Sequence, residues 1–195
     1  MILILTQCFP SRQGGIENLV SNLALNLGKE NKVIVFADRH NFLYDSIYDN
    51  EHKNTILIKR YSGFKFFRTR RKVKDLKIFI QSKKVKIVIA DTWKSLELCI
   101  DYLNRYKIKT ICLSHGNELL SNDKIKENRI KITLDKTSRI ITNSYYTSNL
   151  LNNIITDINK IKVINPGASD LRSLNADHFI KISGYPVLLT LARLE

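Results

Sequence analysis

The chain has 195 residues and a formal net charge of +14, with 44% hydrophobic and 26% charged residues. This length is enough for one well-cored domain and short for two of average size, and the composition is that of a globular protein. No apolar run approaches the roughly 20 residues that cross a bilayer, which argues against an integral membrane protein. Residues 1–5 are apolar but lack the features of a signal peptide, and we interpret them as a buried strand.

Short runs rich in isoleucine and valine recur along the chain. Near-continuous apolarity over a short run is typical of strands that are buried on both faces of a parallel sheet. The predicted strands are 2–5, 33–37, 55–58, 85–90, 110–113, 139–142 and 162–164.

Segments with helical periodicity lie between these strands. In the first segment, apolar residues recur at helical spacing from Ile16 to Leu27, and Gly28 stands near the end. Further helices are predicted around 73–80, over 96–106, and from Ser144 through 151. The alternation of strand and helix predicts an α/β fold with a doubly wound, mostly parallel, Rossmann-like sheet.

Most of the positive charge is concentrated in residues 59–86, here called the basic segment. It contains twelve basic residues against one acid, Asp75, and so carries +11 of the net charge. Such a segment suggests an anionic partner, either a membrane surface or a nucleic acid. The alternative is a general compositional bias, because lysine, isoleucine and asparagine are abundant throughout the chain.

Aromatic residues favour the membrane over nucleic acid as that partner. Phe64, Phe66 and Phe67 precede a predicted amphipathic helix over about 68–83, and aromatic rings beside cations are suited to an anionic lipid interface. Nucleic acid is the less favoured partner, because the sequence contains no stacking platform or reading helix. The predicted membrane-binding residues are Phe66, Phe67, Arg68, Arg70, Arg71 and Lys72.

The cysteines and histidines predict no metal centre. Cys8, Cys99 and Cys112 form no CxxC pair and are odd in number, which suits a reducing cytoplasm and argues against a disulfide or zinc framework.

The loop after the first predicted strand carries the first candidate site. Gly14 and Gly15 lack side chains, so backbone N–H groups can approach a phosphate at the positive end of the following helix. The loop is not a GxGxxG fingerprint, because it is longer and lacks the third glycine. Asp38, at the end of the second strand, is therefore interpreted as a turn residue rather than a ribose ligand.

Three further segments follow strand ends. His115, in Ser-His-Gly-Asn-Glu, can hydrogen-bond a sugar hydroxyl or move a proton, the alternative being a packed or surface histidine. In Asp91-Thr92-Trp93 the aromatic ring can stack on a sugar or fill a rim. Thr142-Asn143-Ser144 has the residue types of a helix cap.

Taken in order, these segments resemble the retaining nucleotide-sugar glycosyltransferases of family 4. The segments are Gly-Gly-Ile-Glu, Asp-Thr-Trp, His-Gly-Asn-Glu, Thr-Asn-Ser, Val-Ile-Asn-Pro-Gly-Ala-Ser-Asp and Leu-Ala-Arg-Leu, and together they span residues 2–194. The resemblance implies the GT-B architecture, in which two Rossmann-like domains face a cleft. It assigns 1–167 to the acceptor-side domain, 168–184 to the interdomain connection and 185–195 to the first strand of the donor domain.

The resemblance also implies roles for particular residues. Gly14 and Gly15 match the loop that approaches the donor diphosphate, and His115 matches the catalytic-centre histidine that contacts the donor sugar. Arg193 matches the arginine that binds the donor phosphates, although Ala192 replaces the usual glycine before it. On the acceptor side the implied residues are Glu17, Asp91, Trp93, Asn117 and Glu118.

A second departure from the family pattern lies at the expected turn between the two domains. The family more often has Pro-Asn-Gly where this chain has Asn165-Pro166-Gly167.

The predicted function is retaining transfer of a sugar from a nucleotide-sugar to a glycan or lipid-linked acceptor in polysaccharide biosynthesis. We expect no cofactor and no metal, and a cytoplasmic, peripheral membrane location. The family's phosphate-binding lysine and paired glutamates would follow Glu195, so this segment alone is predicted to be inactive, with its donor domain in the same or another chain. The alternative is a non-catalytic domain that binds a glycan, lipid or nucleic acid through the basic segment.

Overall fold

The computed structural model describes residues 1–82, 85–167 and 183–186. Within these residues seven strands form one sheet in which every neighbouring pair is parallel, in the order β3-β2-β1-β4-β5-β6-β7. The strands are β1 (Ile2–Thr6), β2 (Val33–Asp38), β3 (Leu57–Tyr61), β4 (Ile87–Ala90), β5 (Lys109–Ser114), β6 (Arg139–Thr142) and β7 (Ile161–Val163). The predicted doubly wound, Rossmann-like α/β fold is confirmed.

Seven helices connect the described strands. They are α1 (Gly15–Gly28), α2 (Phe42–His52), α3 (Lys65–Ser82), α4 (Trp93–Leu96), α5 (Ile100–Arg105), α6 (Lys124–Asp135) and α7 (Tyr145–Asn152), and a single 3-10 turn (Ile158–Lys160) precedes β7. None of the helices in the described ranges is long and apolar enough to cross a membrane.

The sequence patterns missed two of these helices and merged two others. In α2 the large apolar side chains at the start, Phe42 and Leu43, are exposed and Asp45 is the residue that the helix buries, so the helix shows no apolar stripe. In α6 the buried face consists of Ile130, Thr133 and Leu134 alone. The helix predicted over 96–106 is interrupted at 97–99 and forms α4 and α5.

The sheet is covered on both faces, which explains why β1 is buried along its whole length. Leu3 and Leu5 pack in one core layer with α3, α4, α5, α6 and α7, whereas Ile2 and Ile4 pack in the other layer with α1. A strand with both faces in the core needs apolar residues at every position, which is the continuous pattern seen in the sequence.

The sheet has its topological switch point between β1 and β4, where the chain order reverses. In open α/β sheets the connecting loops separate at such a point and leave a crevice beyond the carboxyl ends of the strands. Thr6 and Asp91 follow the paired residues Leu5 and Ala90 of these two strands, so both stand at this crevice.

One glycine in α1 is required by packing. A Cβ at Gly28 would lie 2.7 Å from the Thr55 carbonyl oxygen and 2.8 Å from Cγ2 of Ile56, whereas a Cβ at Gly15 would meet nothing within 4 Å. We therefore expect Gly28→Ala to reduce the free energy of unfolding by about 2 kcal/mol, because the backbone before β3 must move. Gly15→Ala is the matched control and should change it by less than about 0.5 kcal/mol. Urea unfolding of both variants measures this, and equal effects would contradict the packing explanation.

Candidate functional site

The loop between β1 and α1, residues 7–14, is held at its start by the carboxylate of Asp91. Asp91 Oδ2 accepts hydrogen bonds from the Gln7 N–H (2.7 Å) and the Thr6 hydroxyl (2.9 Å), and Oδ1 accepts one from the Ser95 hydroxyl (2.6 Å). Asp91 is only 1% exposed, so its carboxylate is enclosed by protein groups. The expectation that it faces an acceptor is therefore wrong, and its role is to position the loop.

A second buried carboxylate holds the middle of the same loop. Asp45 accepts hydrogen bonds from the Ser11 hydroxyl (2.8 Å), the Ser11 N–H (3.2 Å) and the His40 N–H (3.0 Å). Arg60 donates to the Pro10 carbonyl and forms an ion pair with Asp49 at 2.6 Å. Burial alone raises the pKa of Asp45, but the hydrogen bonds from Ser11 and His40 and the charge of Arg60 outweigh it, and the pKa is lower than usual.

The loop ends at the start of α1. A Cβ at Gly14 would collide with the carboxylate of Glu17, and the space beside Gly15 is open. Glu17 is buried and its Oε1 lies 3.0 Å from Nε of Arg12. The N-cap residue Gly14 provides no side chain to cap the first turn of α1, in which Glu17 is the acidic residue. Unpaired N–H groups at a helix start attract anions.

A cleft of about 1030 Å³ opens beside this helix start. Gly15 and one face of α1 line one side, and His115, Asn143, Pro166 and Gly167 complete the lining. The structure thus brings Gly15 and His115 to one cleft, although they are 100 residues apart in the sequence, whereas Gly14 does not line it.

His115 is half-buried and oriented by the backbone of its neighbour strand. Its Nε2 lies 2.9 Å from the Asp91 carbonyl oxygen. Because a carbonyl can only accept, Nε2 carries a proton, and in the neutral imidazole Nδ1 is then the acceptor. Gly116 follows with a φ of +109°, a conformation that favours glycine and that turns the chain after β5.

The neighbours of His115 position it rather than face a ligand. Glu118 Oε1 accepts hydrogen bonds from the Ser114 hydroxyl (2.9 Å) and the His115 N–H (2.8 Å). Trp93 is 2% exposed, packs in the core and donates its indole N–H to the Glu118 carbonyl at 3.2 Å. Of the two roles that the sequence left open for Trp93, the 2% exposure of the ring favours filling space over stacking on a sugar. Asn117, also expected on the acceptor side, is exposed.

Lys72 and Arg68 point inward from the basic segment. Lys72 is 6% exposed, and its Nζ lies 2.7 Å from both Oδ1 of Asp38 and the Thr6 carbonyl oxygen. Burial lowers the pKa of Lys72, and the Asp38 carboxylate opposes that shift. Arg68 also pairs with Asp38, at 2.9 Å. The prediction that Lys72 contacts a membrane is wrong, and Asp38 is an ion-pair partner rather than a simple turn residue.

Other members of the predicted membrane-binding set are exposed. The rings of Phe66 and Phe67 meet edge-on at 5.3 Å between centroids, and the guanidinium of Arg70 lies 3.9 Å above the Phe66 ring. Phe66 and Phe67 are 55% and 62% exposed, and Arg71 donates to the Ser62 carbonyl.

The three cysteines are free thiols. Burial, with the charges of Asp91 and Glu17, raises the pKa of Cys8 to about 11, so this thiol beside the loop stays protonated at neutral pH. Among the described residues no three histidine, cysteine, aspartate or glutamate side chains form a metal-binding group.

Arg193 and most of the predicted interdomain connection and donor strand, 168–184 and 185–195, lie outside the described residues.

The comparisons with known proteins agree on a family and a fold. The model of the family "Glycosyltransferase Family 4" matches residues 13–170. No curated protein matches the chain significantly.

Solved structures share the fold at low sequence identity. Anabaena HepE in complex with UDP has a TM-score of 0.63 at 15% identity over 86% of this chain and 44% of that chain. The lipopolysaccharide outer core galactosyltransferase WaaB has a TM-score of 0.62 at 16% identity over 87% and 46%. UDP-N-acetylglucosamine 2-epimerase from Rickettsia bellii has a TM-score of 0.62 at 12% identity over 85% and 44%. This chain thus spans less than half the length of each of these structures.

The Asp91 carboxylate should dominate the stability of the loop. In Asp91→Asn the amide N–H₂ group would face donors that need an acceptor, so we expect the free energy of unfolding to fall by about 3 kcal/mol. Asp101→Asn is the matched control, because Asp101 forms an exposed ion pair with Lys136 and its loss should cost less than about 1 kcal/mol. Urea denaturation of both variants decides this, and losses of similar size would contradict the role given to Asp91.

Proposed function

The chain belongs to glycosyltransferase family 4, and we propose that it forms the acceptor-side domain of an enzyme that transfers a sugar from a nucleotide-sugar. The acceptor is a hydroxyl group of a glycan or lipid-linked molecule, and the anomeric configuration is retained. The observation that carries the proposal is the cleft in which the start of α1 and His115 meet. The UDP in the Anabaena HepE structure supports a nucleoside diphosphate as the leaving group.

The start of α1 is suited to the diphosphate of the donor. A phosphate oxygen can approach the backbone at Gly15, which carries no side chain and has open space beside it, and the partial positive charge of the helix N-terminus stabilises the negative charge of the leaving group. Asp91 and Asp45 hold the loop in place before the donor arrives, so no energy of reorganisation is needed at the reacting step. Arg193 is also proposed to bind the donor phosphates, because it matches the phosphate-binding arginine of the family.

His115 is proposed to align the donor sugar. With Nε2 donating to the Asp91 carbonyl, Nδ1 can accept a hydrogen bond from a sugar hydroxyl. This contact places the sugar so that the acceptor attacks on the face that the diphosphate leaves, as retention requires. Holding the reacting groups in this geometry lowers the entropic part of the barrier.

The non-catalytic alternative receives less support from the same contacts. Binding through the basic segment does not require the two buried carboxylates that fix the loop, and Lys72 and Arg68 are engaged with Asp38. The basic segment therefore offers a ligand less charge than its composition suggests.

We further propose that the enzyme attaches to the cytoplasmic face of an anionic membrane through the start of α3. Phe64, Phe66 and Phe67 are all more than half exposed, and Arg70 and Arg71 lie on the same helix. Aromatic rings can enter the lipid interface while the cations contact headgroups, each adding on the order of 1 kcal/mol.

Substitution of His115 tests the transferase proposal. We expect His115→Ala to lower kcat/KM for sugar transfer roughly 100-fold, because the donor sugar loses its alignment. The control is His52→Ala, a histidine near the end of α2 whose ring stacks on Tyr48 and which does not line the cleft. Both substitutions are introduced into the native gene. The proteins that it produces are purified and assayed with a panel of nucleotide-sugars and glycan acceptors. Equal rates for the two variants, or no nucleotide-sugar consumed by the unaltered protein, would overturn the proposal.

Vesicle flotation tests the membrane proposal. The unaltered protein should float with phosphatidylglycerol vesicles and not with phosphatidylcholine vesicles, and a Phe66→Ser/Phe67→Ser double variant should lose at least half of the floating fraction. Tyr145→Ser, which removes an aromatic ring that is 75% exposed on α7, should float like the unaltered protein. Equal flotation with both vesicle types, or with neither, would refute the attachment.

A further inference from the structure

A small polar pocket of about 200 Å³ lies beside the β1–α1 loop. We call it the arginine pocket, and it is lined by Gln7, Phe9, Arg12, Asp38, Arg39, His40 and Arg68. Three of its seven lining residues are arginines and one is an acid. The pocket shares no lining residue with the large cleft, since Gly15 lines the cleft whereas Gln7, Phe9 and Arg12 line the arginine pocket.

Two of these guanidinium groups carry buried N–H donors without a partner. NH1 of Arg39 and Nε of Arg68 are both shielded from solvent and neither makes a hydrogen bond. Buried donors are nearly always hydrogen-bonded in folded proteins, because a buried donor without a partner loses its hydrogen bonds to water and gains none in exchange. Two such donors on residues that line one pocket leave it able to bind a group that carries oxygen acceptors.

The charge of the pocket shows which sign that group carries. Asp38, the acid in the lining, is already paired with Lys72 at 2.7 Å and with Arg68 at 2.9 Å. Arg12 pairs through Nε with Glu17, but its side chain is 55% exposed and its guanidinium has further N–H donors. The positive charge of the pocket is therefore not neutralised within the protein, and an anion is its fitting ligand.

We propose that the arginine pocket binds a phosphoryl group of the acceptor substrate. Guanidinium groups form bidentate hydrogen bonds to phosphate oxygens, and a phosphoryl group has enough oxygens to accept from several arginines at once. The inference rests on the proposed transferase function, and it narrows the acceptor from any glycan to one that carries a phosphate ester or a phosphate-linked lipid.

Titration with inorganic phosphate tests the pocket directly. Calorimetry at constant ionic strength, with chloride replaced by phosphate, uses the gene product and three variants. Arg39→Gln removes a guanidinium with an unpartnered donor, and we expect it to weaken phosphate binding about tenfold. Arg139→Gln removes the same charge from the start of β6, at the amino end of a strand that is four positions from β2 in the sheet, and should leave the affinity unchanged.

The third variant separates the pocket from the helix start at the donor cleft. Gly15→Asp places a carboxylate at the N-terminus of α1 where nothing lies within 4 Å, and it repels phosphate there without disturbing the arginines. Retained binding in Gly15→Asp and weakened binding in Arg39→Gln support the proposal. The reverse pattern places the phosphate at the donor loop, which overturns the arginine pocket and leaves the proposed transferase function standing.

Two more results decide the matter. Equal weakening by Arg39→Gln and Arg139→Gln would show general attraction by the positive surface and overturn the proposal.

Because a membrane headgroup offers the same phosphoryl chemistry, Arg39→Gln is also floated with phosphatidylglycerol vesicles. Unchanged flotation supports the acceptor as the source of the phosphate, whereas lost flotation assigns the pocket to lipid headgroups. A melting temperature of Arg39→Gln at or above that of the unaltered protein excludes a purely structural role for the arginine.

Discussion

The carboxylate of Asp91 meets a requirement of every parallel sheet with a switch point. Where β1 ends, the backbone N–H groups that leave the sheet lose their ladder partners, and an acceptor must be supplied. Asp91 supplies it from the end of β4, with one oxygen on Gln7 and Thr6 and the other on Ser95, and its own carbonyl accepts from His115. Asp91 therefore fixes the β1–α1 loop through its side chain and His115 through its backbone carbonyl.

Buried charge organises the rest of this edge of the sheet. Lys72 reaches from α3 to the end of β1 and pairs with Asp38 at the end of β2, while Arg60 pairs with Asp49 and contacts Pro10. Ion pairs taken out of water cost desolvation energy, and they are stable here because further hydrogen bonds complete each group. These contacts divide the basic segment into cations that hold the fold and cations that face outward. Only the second group is free to attract a membrane or a substrate.

The shared fold does not determine which reaction a protein catalyses. An epimerase acting on a nucleotide-sugar and a galactosyltransferase resemble this chain to the same degree, with TM-scores of 0.62. What distinguishes one chemistry from another is the placement of individual groups near the crevice, here the open space beside Gly15, the acceptor nitrogen of His115 and the buried NH1 donor of Arg39. The first two line the large cleft and the third lines the arginine pocket.

The sequence by itself determined the sheet, since strands covered on both faces must be apolar at every position and such runs are visible without a structure. It also indicated Gly14, Gly15 and His115, because glycine pairs and histidine–glycine steps at strand ends are local signals. It left α2 and α6 unrecognised, because these helices bury few apolar residues. Whether a polar side chain faces solvent or the interior was decided by the tertiary structure alone: Asp91, Trp93 and Lys72 find their partners 85, 25 and 66 residues away, and no local pattern records contacts that only folding creates.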